Sequence, residues 1–190
     1  MRVFAALPLP GPAVRALDSA LEPLRRAHPR LRWVPPGTYH VTLHFFGELG
    51  GEAVAQVKSL FADPALRIPP ITARFGAVGR FPERGAPRVV HVAIGEGAEA
   101  AQAYYDRLHA MIAPLGYRPE SRGFTPHITL ARCPREPLPA GWEPSIVLTS
   151  EQFLIGECVL YQSLLGPGGP GYVALAAAAF GSPAAREGGR

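Results

Sequence analysis

The feature that most constrains this chain is a four-residue pattern that occurs twice, as His40-Val41-Thr42-Leu43 and as His127-Ile128-Thr129-Leu130. Both copies lie in apolar, β-branched runs, which are typical of strands. Side chains alternate between the two faces of a strand, so residues two apart point the same way. Each tetrad therefore places an imidazole and a hydroxyl on one face and directs its two apolar side chains toward a core. Together the tetrads can supply two histidines and two threonine hydroxyls to one pocket.

Secondary structure follows from the spacing of apolar residues. Apolar residues recur at helical spacing in three segments, which predicts helices over residues 13–27, 52–61 and 98–115. Apolar, alternating or β-branched runs predict strands over residues 2–7, 31–34, 39–46, 71–75, 77–81, 88–94, 145–149, 157–165 and 172–180. We expect Gly116 to cap the third helix.

The order strand, helix, proline-containing loop and tetrad occurs twice, with the two histidines 87 residues apart. Two copies are too few for a solenoid. The repeat instead predicts an α+β fold with two pseudo-symmetric lobes, approximately residues 2–87 and 88–181, in a single bilobal domain over residues 1–181. The lobes can exchange terminal strands in such a domain, and residues 182–190 have the composition of a flexible tail. The symmetry brings both tetrads to a shared groove.

Composition narrows the functional classes. The chain has 190 residues, of which 47% are hydrophobic, so it is long enough and apolar enough to bury a sizeable core. Its net charge of +4 suits an acidic substrate such as RNA without establishing one. No apolar run has the length of a membrane span, and Pro8 and Pro10 interrupt the first apolar run before it resembles a signal peptide. Cys133 and Cys158 lack CxxC spacing. A cytoplasmic protein without a disulfide framework is expected.

The paired tetrads favour metal-free hydrolysis of a phosphodiester. That reaction needs one group to activate water and another to protonate the leaving oxygen, and histidine suits both roles because its pKa lies near 6.5. The hydroxyls of Thr42 and Thr129 can donate hydrogen bonds to the non-bridging phosphate oxygens. The repeat is symmetric, so the residues alone leave open whether His40 or His127 is the acid.

Three further residues near the tetrads are candidates. Arg132 can add positive charge to the transition state, but its offset from His127 is odd, so it reaches the pocket only if the strand bends or ends at Ala131. His44 lies on the same face as His40 if that strand stays regular, where it could contact a phosphate as a substrate-binding residue. His91 lies in the middle of another strand and could face the groove. A zinc site is disfavoured, since the Asp, Glu or Cys ligands that would complete it are absent near either tetrad. No metal and no cofactor are expected.

The stretches that flank the tetrads are more specific than the tetrads themselves. Arg32-Trp33-Val34-Pro35-Pro36 precedes the first copy, and Phe124-Thr125-Pro126 leads directly into the second. With these stretches the chain resembles the two-histidine phosphoesterases, and within them the bacterial and archaeal RNA 2′,3′-cyclic phosphodiesterases, formerly called 2′-5′ RNA ligases. The resemblance extends over residues 2–7, 32–36, 40–48, 87–90, 124–132 and 163–172.

The resemblance implies a bilobal α+β fold in which two antiparallel sheets flank the groove. It also implies hydrolysis of an RNA 2′,3′-cyclic phosphate end to a 2′-phosphomonoester, without metal or nucleotide cofactor. In that family the first histidine is the proton donor and the second the proton acceptor, which assigns these roles to His40 and His127. The family's arginine falls on Arg132. Phe45 takes an aromatic position that can stack on the terminal base.

Two positions depart from the family pattern. His44 stands where a basic residue is common, and His91 stands where an aromatic residue such as Trp is common. Because of these two departures, the contribution of His44 to substrate binding and the base preference of the groove stay open.

Alternative functions use the same residues. The reverse reaction would join a cyclic phosphate to a 5′-hydroxyl as a 2′-5′ linkage, and ligation could be the main activity in the cell. ADP-ribose 1″,2″-cyclic phosphate or a cyclic nucleotide could replace RNA, and a module that only binds RNA ends is a third alternative. The expected partners are RNA ends with a 2′,3′-cyclic phosphate, tRNA fragments among them, and a monomer without membrane association is expected.

Overall fold

The structure, a computed structural model, describes residues 1–119, 123–133, 148, 151–166 and 169–181. Its α-helices are α1 (Gly11–Ala27), α2 (Gly51–Leu60) and α3 (Ala98–Ile112). The strands before residue 88 are β1 (Arg2–Pro8), β2 (Arg32–Trp33), β3 (His40–Glu48), β4 (Ile71–Ala73) and β5 (Phe75–Phe81). The later strands are β6 (Val89–Ile94), β7 (His127–Arg132), β8 (Phe153–Ile155), β9 (Glu157–Gly166) and β10 (Gly169–Ala179).

The strands that carry the tetrads lie side by side in the middle of the main sheet. The strand order is β10-β9-β1-β3-β7-β6-β5, with β2 also paired to β7, while β4 and β8 form a separate pair. Every one of these pairings is antiparallel. The α+β class with antiparallel sheet is therefore confirmed.

The sheet mixes strands from both halves of the sequence. β9 and β10 follow the second tetrad but lie beyond β1, whereas β5 precedes residue 88 and pairs with β6. The two sides of the sheet meet where Val41 of β3 pairs with Ile128 of β7. The lobe boundaries at 2–87 and 88–181 stay a prediction, and residues 182–190 lie outside the described part of the chain.

Apolar side chains of the helices and of one sheet face form one buried cluster. The α1 residues Leu17 and Leu21 and the α3 residues Leu108 and Ile112 are fully buried, as the helical spacing predicts. Burying a side chain of this kind stabilises the fold by roughly 1.5–3 kcal/mol, because its apolar surface is removed from water. No helix among the described residues is both long and apolar enough to cross a membrane.

The predicted helices agree with the structure within a few residues, and one difference has a clear cause. The third helix ends at Ile112 and tightens into a 3₁₀ turn over Ala113–Leu115, because Pro114 has no N–H to continue the α-helical ladder. Gly116 then ends the segment with φ +88°, which confirms the predicted cap. β8 was not predicted, since three residues are too few to show a period. Of the strand predicted over 145–149, only residue 148 is described.

Candidate active site

Both tetrad histidines are held in the same way by the backbone. The Nδ1 atom of His40 lies 2.7 Å from the carbonyl oxygen of Thr38, and the Nδ1 atom of His127 lies 2.7 Å from that of Thr125. A carbonyl oxygen can only accept, so each Nδ1 carries the proton and donates it. This bond fixes the ring orientation and leaves Nε2 as the nitrogen available for proton transfer.

The antiparallel pairing of β3 with β7 brings the tetrads together. Val41 opposes Ile128, and both side chains are buried, so the residues that flank them point to the other face of the sheet. Continued by one residue on either side, this register sets His40 beside Thr129 and Thr42 beside His127. All four side chains are half-buried, and the Nε2 atom of His40 lies 3.0 Å from Oγ1 of Thr42. The structure therefore places both predicted pairs on one surface.

A break in register follows the threonine of each tetrad. On β1, Ala6 pairs with Thr42 while Ala5 pairs with His44, so the ladder skips Leu43. On β6, His91 pairs with Thr129 while Val90 pairs with Ala131, so the ladder skips Leu130. An extra residue of this kind is a β-bulge, and it shifts the alternation of the side chains beyond it.

The bulges decide which of the remaining predicted residues share the face of the histidines. Phe45 and Arg132 each follow their histidine by five residues, a spacing that would turn them toward the core in a regular strand. Both are exposed instead, and the ring of Phe45 lies 5.7 Å from that of Phe4. Phe4 in turn contacts His40, at 5.1 Å between ring centroids. The odd spacing that counted against Arg132 is thus compensated by the bulge at Leu130.

The same displacement removes His44 from the site. The predicted position of His44 beside His40, which required a regular strand, is wrong. The bulge at Leu43 turns the ring of His44 to the opposite face of the sheet. There it is 7% exposed and packs edge-on against His109 of α3, with 4.9 Å between ring centroids, and against Phe46 and Tyr117. The structure does not bring His44 together with the tetrad side chains.

Apart from His91, the aromatic neighbours of the two histidines were not found from the sequence. The ring of His40 contacts Phe4 and meets Tyr172 of β10 edge-on, with 5.4 Å between centroids. His127 meets the rings of Phe81 and His91 at 5.0 and 5.4 Å. These residues come from strands far away in the sequence, so no local pattern marks them. The anchoring carbonyls had a weak signal, since a threonine precedes each histidine by two residues.

The ring of His91 is tightly packed next to His127. It stacks on the ring of Phe81, with 4.0 Å between centroids and 10° between planes. A Cβ atom at Gly79 would lie 3.1 Å from Cε1 and Nε2 of His91, so the glycine makes room for this ring. The strand position predicted for His91 as facing the groove is consistent with its contact to His127.

Burial and repulsion from His127 lower the pKa of two of these imidazoles, those of His40 and His91. Burial lowers the pKa of His40, the Thr38 carbonyl acts in the opposite direction, and the nearby His127 lowers it further. Burial together with His127 lowers the pKa of His91 to about 4. Burial raises the pKa of Tyr172, and Arg132 opposes that rise, which puts this guanidinium within electrostatic reach of the site.

No group of three or more His, Cys, Asp or Glu side chains among the described residues is arranged to hold a metal ion. Cys133 and Cys158 are buried free thiols.

Comparison with known proteins identifies the family. The family model of the 2′-5′ RNA ligase superfamily matches residues 10–164. The chain belongs to this superfamily. The RNA 2′,3′-cyclic phosphodiesterase of Thermus thermophilus is 35% identical over 185 residues, which cover 92% of this chain and 88% of that protein. The RNA 2′,3′-cyclic phosphodiesterase of Geobacillus stearothermophilus is 30% identical over 162 residues, which are 84% of this chain and 51% of that protein. The chain thus spans about half the length of the latter relative.

The fold agrees with this assignment. The crystal structure of the protein TT0787 from Thermus thermophilus superposes with a TM-score of 0.78 at 31% identity, covering 93% of this chain and 96% of that one. Membership in the 2′-5′ RNA ligase superfamily confirms the resemblance drawn from the two tetrads and their flanks. The roles of the individual side chains stay predictions.

Proposed function

We propose that this protein hydrolyses the 2′,3′-cyclic phosphodiester at an RNA end to a 2′-phosphomonoester, with histidine acid–base catalysis. The observation that carries the proposal is the matched anchoring of His40 and His127 on the adjoining strands β3 and β7, with each Nδ1 atom bonded to the backbone carbonyl two residues earlier. Two imidazoles on one surface, each with Nδ1 held by the backbone, can use their Nε2 atoms for the two proton transfers that the reaction requires.

In the proposed reaction His127 accepts a proton from water as the water oxygen bonds to phosphorus. His40 donates its proton to the 3′-oxygen as the bond between phosphorus and that oxygen breaks. The product carries a 3′-hydroxyl and a 2′-phosphate, and the two histidines exchange protonation states. Thr42 and Thr129 donate hydrogen bonds to the non-bridging oxygens, on which the transition state accumulates charge.

The lowered pKa of His40 bears on its assigned role. A donor must be protonated, and burial favours the neutral ring. The bound phosphodiester supplies a negative charge next to the ring, which raises its pKa again. Substrate binding and protonation of His40 are therefore coupled in the proposed mechanism.

Arg132 and Phe45 are the proposed substrate-binding residues. Arg132 is exposed and acts electrostatically on Tyr172, whose ring contacts His40, which supports a role for its guanidinium in pairing with the phosphate. The exposed ring of Phe45 continues the aromatic surface that starts at Phe4, and a base stacked on it would gain roughly 1–3 kcal/mol.

The proposed setting is the cytoplasm, with a monomeric enzyme that acts on RNA ends such as those of tRNA fragments. The two free cysteines fit a reducing compartment. Water at about 55 M favours hydrolysis over the reverse ligation unless a 5′-hydroxyl end is held in place.

The test uses an oligonucleotide that ends in a 2′,3′-cyclic phosphate, with EDTA present. We expect conversion to a monoester that resists a 3′-specific phosphatase. His40→Ala and His127→Ala should each lower kcat by roughly 10²–10⁴, which is about 3–5 kcal/mol in barrier height. His44→Phe is the matched control, because its ring lies on the same strand as His40 but faces away. An unchanged oligonucleotide would refute the proposal, and joining to an added 5′-hydroxyl strand as the main product would favour ligation.

A further inference from the structure

Two arginines stand directly opposite each other next to the proposed site. β2 pairs with the end of β7 so that Arg32 opposes Arg132 and Trp33 opposes Ala131. Directly opposed residues of antiparallel strands carry their side chains on the same face, with Cβ atoms about 4.5–5.5 Å apart. Like charges in this position destabilise the pairing. The arrangement therefore works against the fold unless a negative charge is brought between them.

The protein supplies no such charge from its described residues. Both arginines are exposed, and neither forms a hydrogen bond or an ion pair with another described residue. The acidic residues on the neighbouring helix α1 are engaged elsewhere, Asp18 with Arg25 and Glu22 with Arg26. Within the described part of the chain the guanidinium groups of Arg32 and Arg132 have no acidic partner, and two such groups suit the oxygens of a phosphate.

The position of the pair relative to the histidines identifies which phosphate fits. β6 occupies one edge of β7, so β3 and β2 share the other edge, with β3 at Ile128 and β2 at Arg132. Four residues of strand separate these two points, or about 13 Å along β7. Arg132 can bend back toward the reacting phosphate, whereas Arg32 lies one strand farther out. The group within reach of Arg32 is therefore a second phosphate, on the same RNA strand as the reacting phosphate.

We propose that Arg32, together with Arg132, binds the phosphodiester immediately upstream of the terminal nucleotide, so that the enzyme selects RNA strands over cyclic mononucleotides. This inference rests on the proposed function and specifies its substrate class. Arg32 is a substrate-binding residue in this scheme, and it contacts the substrate away from the reacting atoms.

The experiment compares two substrates, an oligoribonucleotide ending in a 2′,3′-cyclic phosphate and 2′,3′-cyclic AMP, which lacks an upstream phosphate. Arg32→Gln should lower kcat/KM for the oligonucleotide about tenfold and leave that for cyclic AMP unchanged. Arg132→Gln should lower both. Arg67→Gln, which removes the same charge from an exposed position next to the segment Pro64–Leu66, is the matched control and should change neither.

Salt dependence gives a second readout that a structural defect would not reproduce. Loss of one phosphate contact to a single strand should reduce the slope of log kcat/KM against log salt by about 0.7, and only for the oligonucleotide. Arg32→Lys should restore part of the oligonucleotide activity, since it keeps the charge without the planar fork. Equal losses on both substrates for Arg32→Gln, or no loss on the oligonucleotide, would overturn the inference.

Failure of the proposed function is distinguishable from failure of this inference. If the unaltered protein turns over neither substrate, hydrolysis is refuted, and the inference is then decided by binding alone. The probe is a fluorescent oligonucleotide ending in a 2′-phosphate. A salt slope of binding that is the same for the unaltered protein and for Arg32→Gln would overturn the inference, and a slope lowered by about 0.7 would support it.

Discussion

The ring of His44 is packed edge-on against His109 and Tyr117 on the sheet face away from the proposed site. Replacing it with Phe keeps a planar ring of similar size and removes the titratable group. We expect this substitution to protect the fold against acid while it leaves turnover intact at neutral pH.

The magnitude follows from the pKa of the buried ring. Burial, with a contribution from His109, lowers the pKa of His44 from 6.5 to about 4. The unfolded chain therefore takes up a proton near pH 6.5, whereas the folded chain resists it until about pH 4. The stability contributed by the neutral ring is fully present above pH 6.5 and is lost as the pH falls toward 4. The linkage relation gives a loss of about 2 kcal/mol at pH 5 and about 3 kcal/mol at pH 4.

The assay is urea unfolding of the unaltered protein and of His44→Phe at pH 7.5, 6, 5 and 4. The two free energies of unfolding should agree within about 1.5 kcal/mol at pH 7.5. Their difference should then grow in favour of the variant by about 2 kcal/mol at pH 5. Titrating groups other than the neighbouring His109 contribute equally to both proteins and cancel in the difference.

Two results would refute this reasoning. A difference that stays constant from pH 7.5 to pH 4 would mean that the pKa of His44 is not lowered in the folded chain. A loss of hydrolysis at pH 7.5 comparable to that of His40→Ala would mean that His44 contacts the substrate, as regular strand alternation had suggested.

Three further outcomes are expected. The profile of kcat/KM against pH should be bell-shaped with its acidic limb below pH 6.5, because the lowered pKa of His40 sets that limb of the coupled pair; an acidic limb at or above 6.5 would contradict this. Gly79→Ala should lower kcat by up to roughly tenfold with little loss of stability, because the new Cβ would push the ring of His91 toward His127 by a few tenths of an ångström. An unchanged kcat would show that the position of the His91 ring does not matter for turnover. Gly97→Ala should reduce the free energy of unfolding by about 2 kcal/mol or more, because Gly97 has φ +88° and its Cβ would lie 2.5 Å from the carbonyl oxygen of Thr72; thermal unfolding unchanged within error would refute this.

The helices and most strands could be predicted because their signals are local. The spacing of Leu17, Leu21 and Leu24 identifies the buried face of α1, and β-branched runs identify the strands around both tetrads. The paired His-x-Thr pattern also predicted which four side chains share a surface. Residues two apart on a strand share a face whatever the strand pairs with.

Beyond each tetrad, local sequence patterns no longer show which face of the sheet a side chain occupies. Whether Phe45, His44 or Arg132 faces the histidines depends on the bulges at Leu43 and Leu130, and a bulge is a property of two strands rather than of one. The sequence of β3 alone gives no sign of it, because Ala5 and Ala6 of β1 determine which residue is skipped.

The fold class, the family and the four tetrad side chains could be predicted from the amino-acid sequence, because repetition and alternation are local properties of the chain. The rest of the site depends on tertiary contacts. The tertiary structure brought Phe4 and Tyr172 to His40, Phe81 and His91 to His127, and Arg32 opposite Arg132. These contacts join strands that are distant in sequence, and their register is set by hydrogen bonding between strands, which no local pattern encodes.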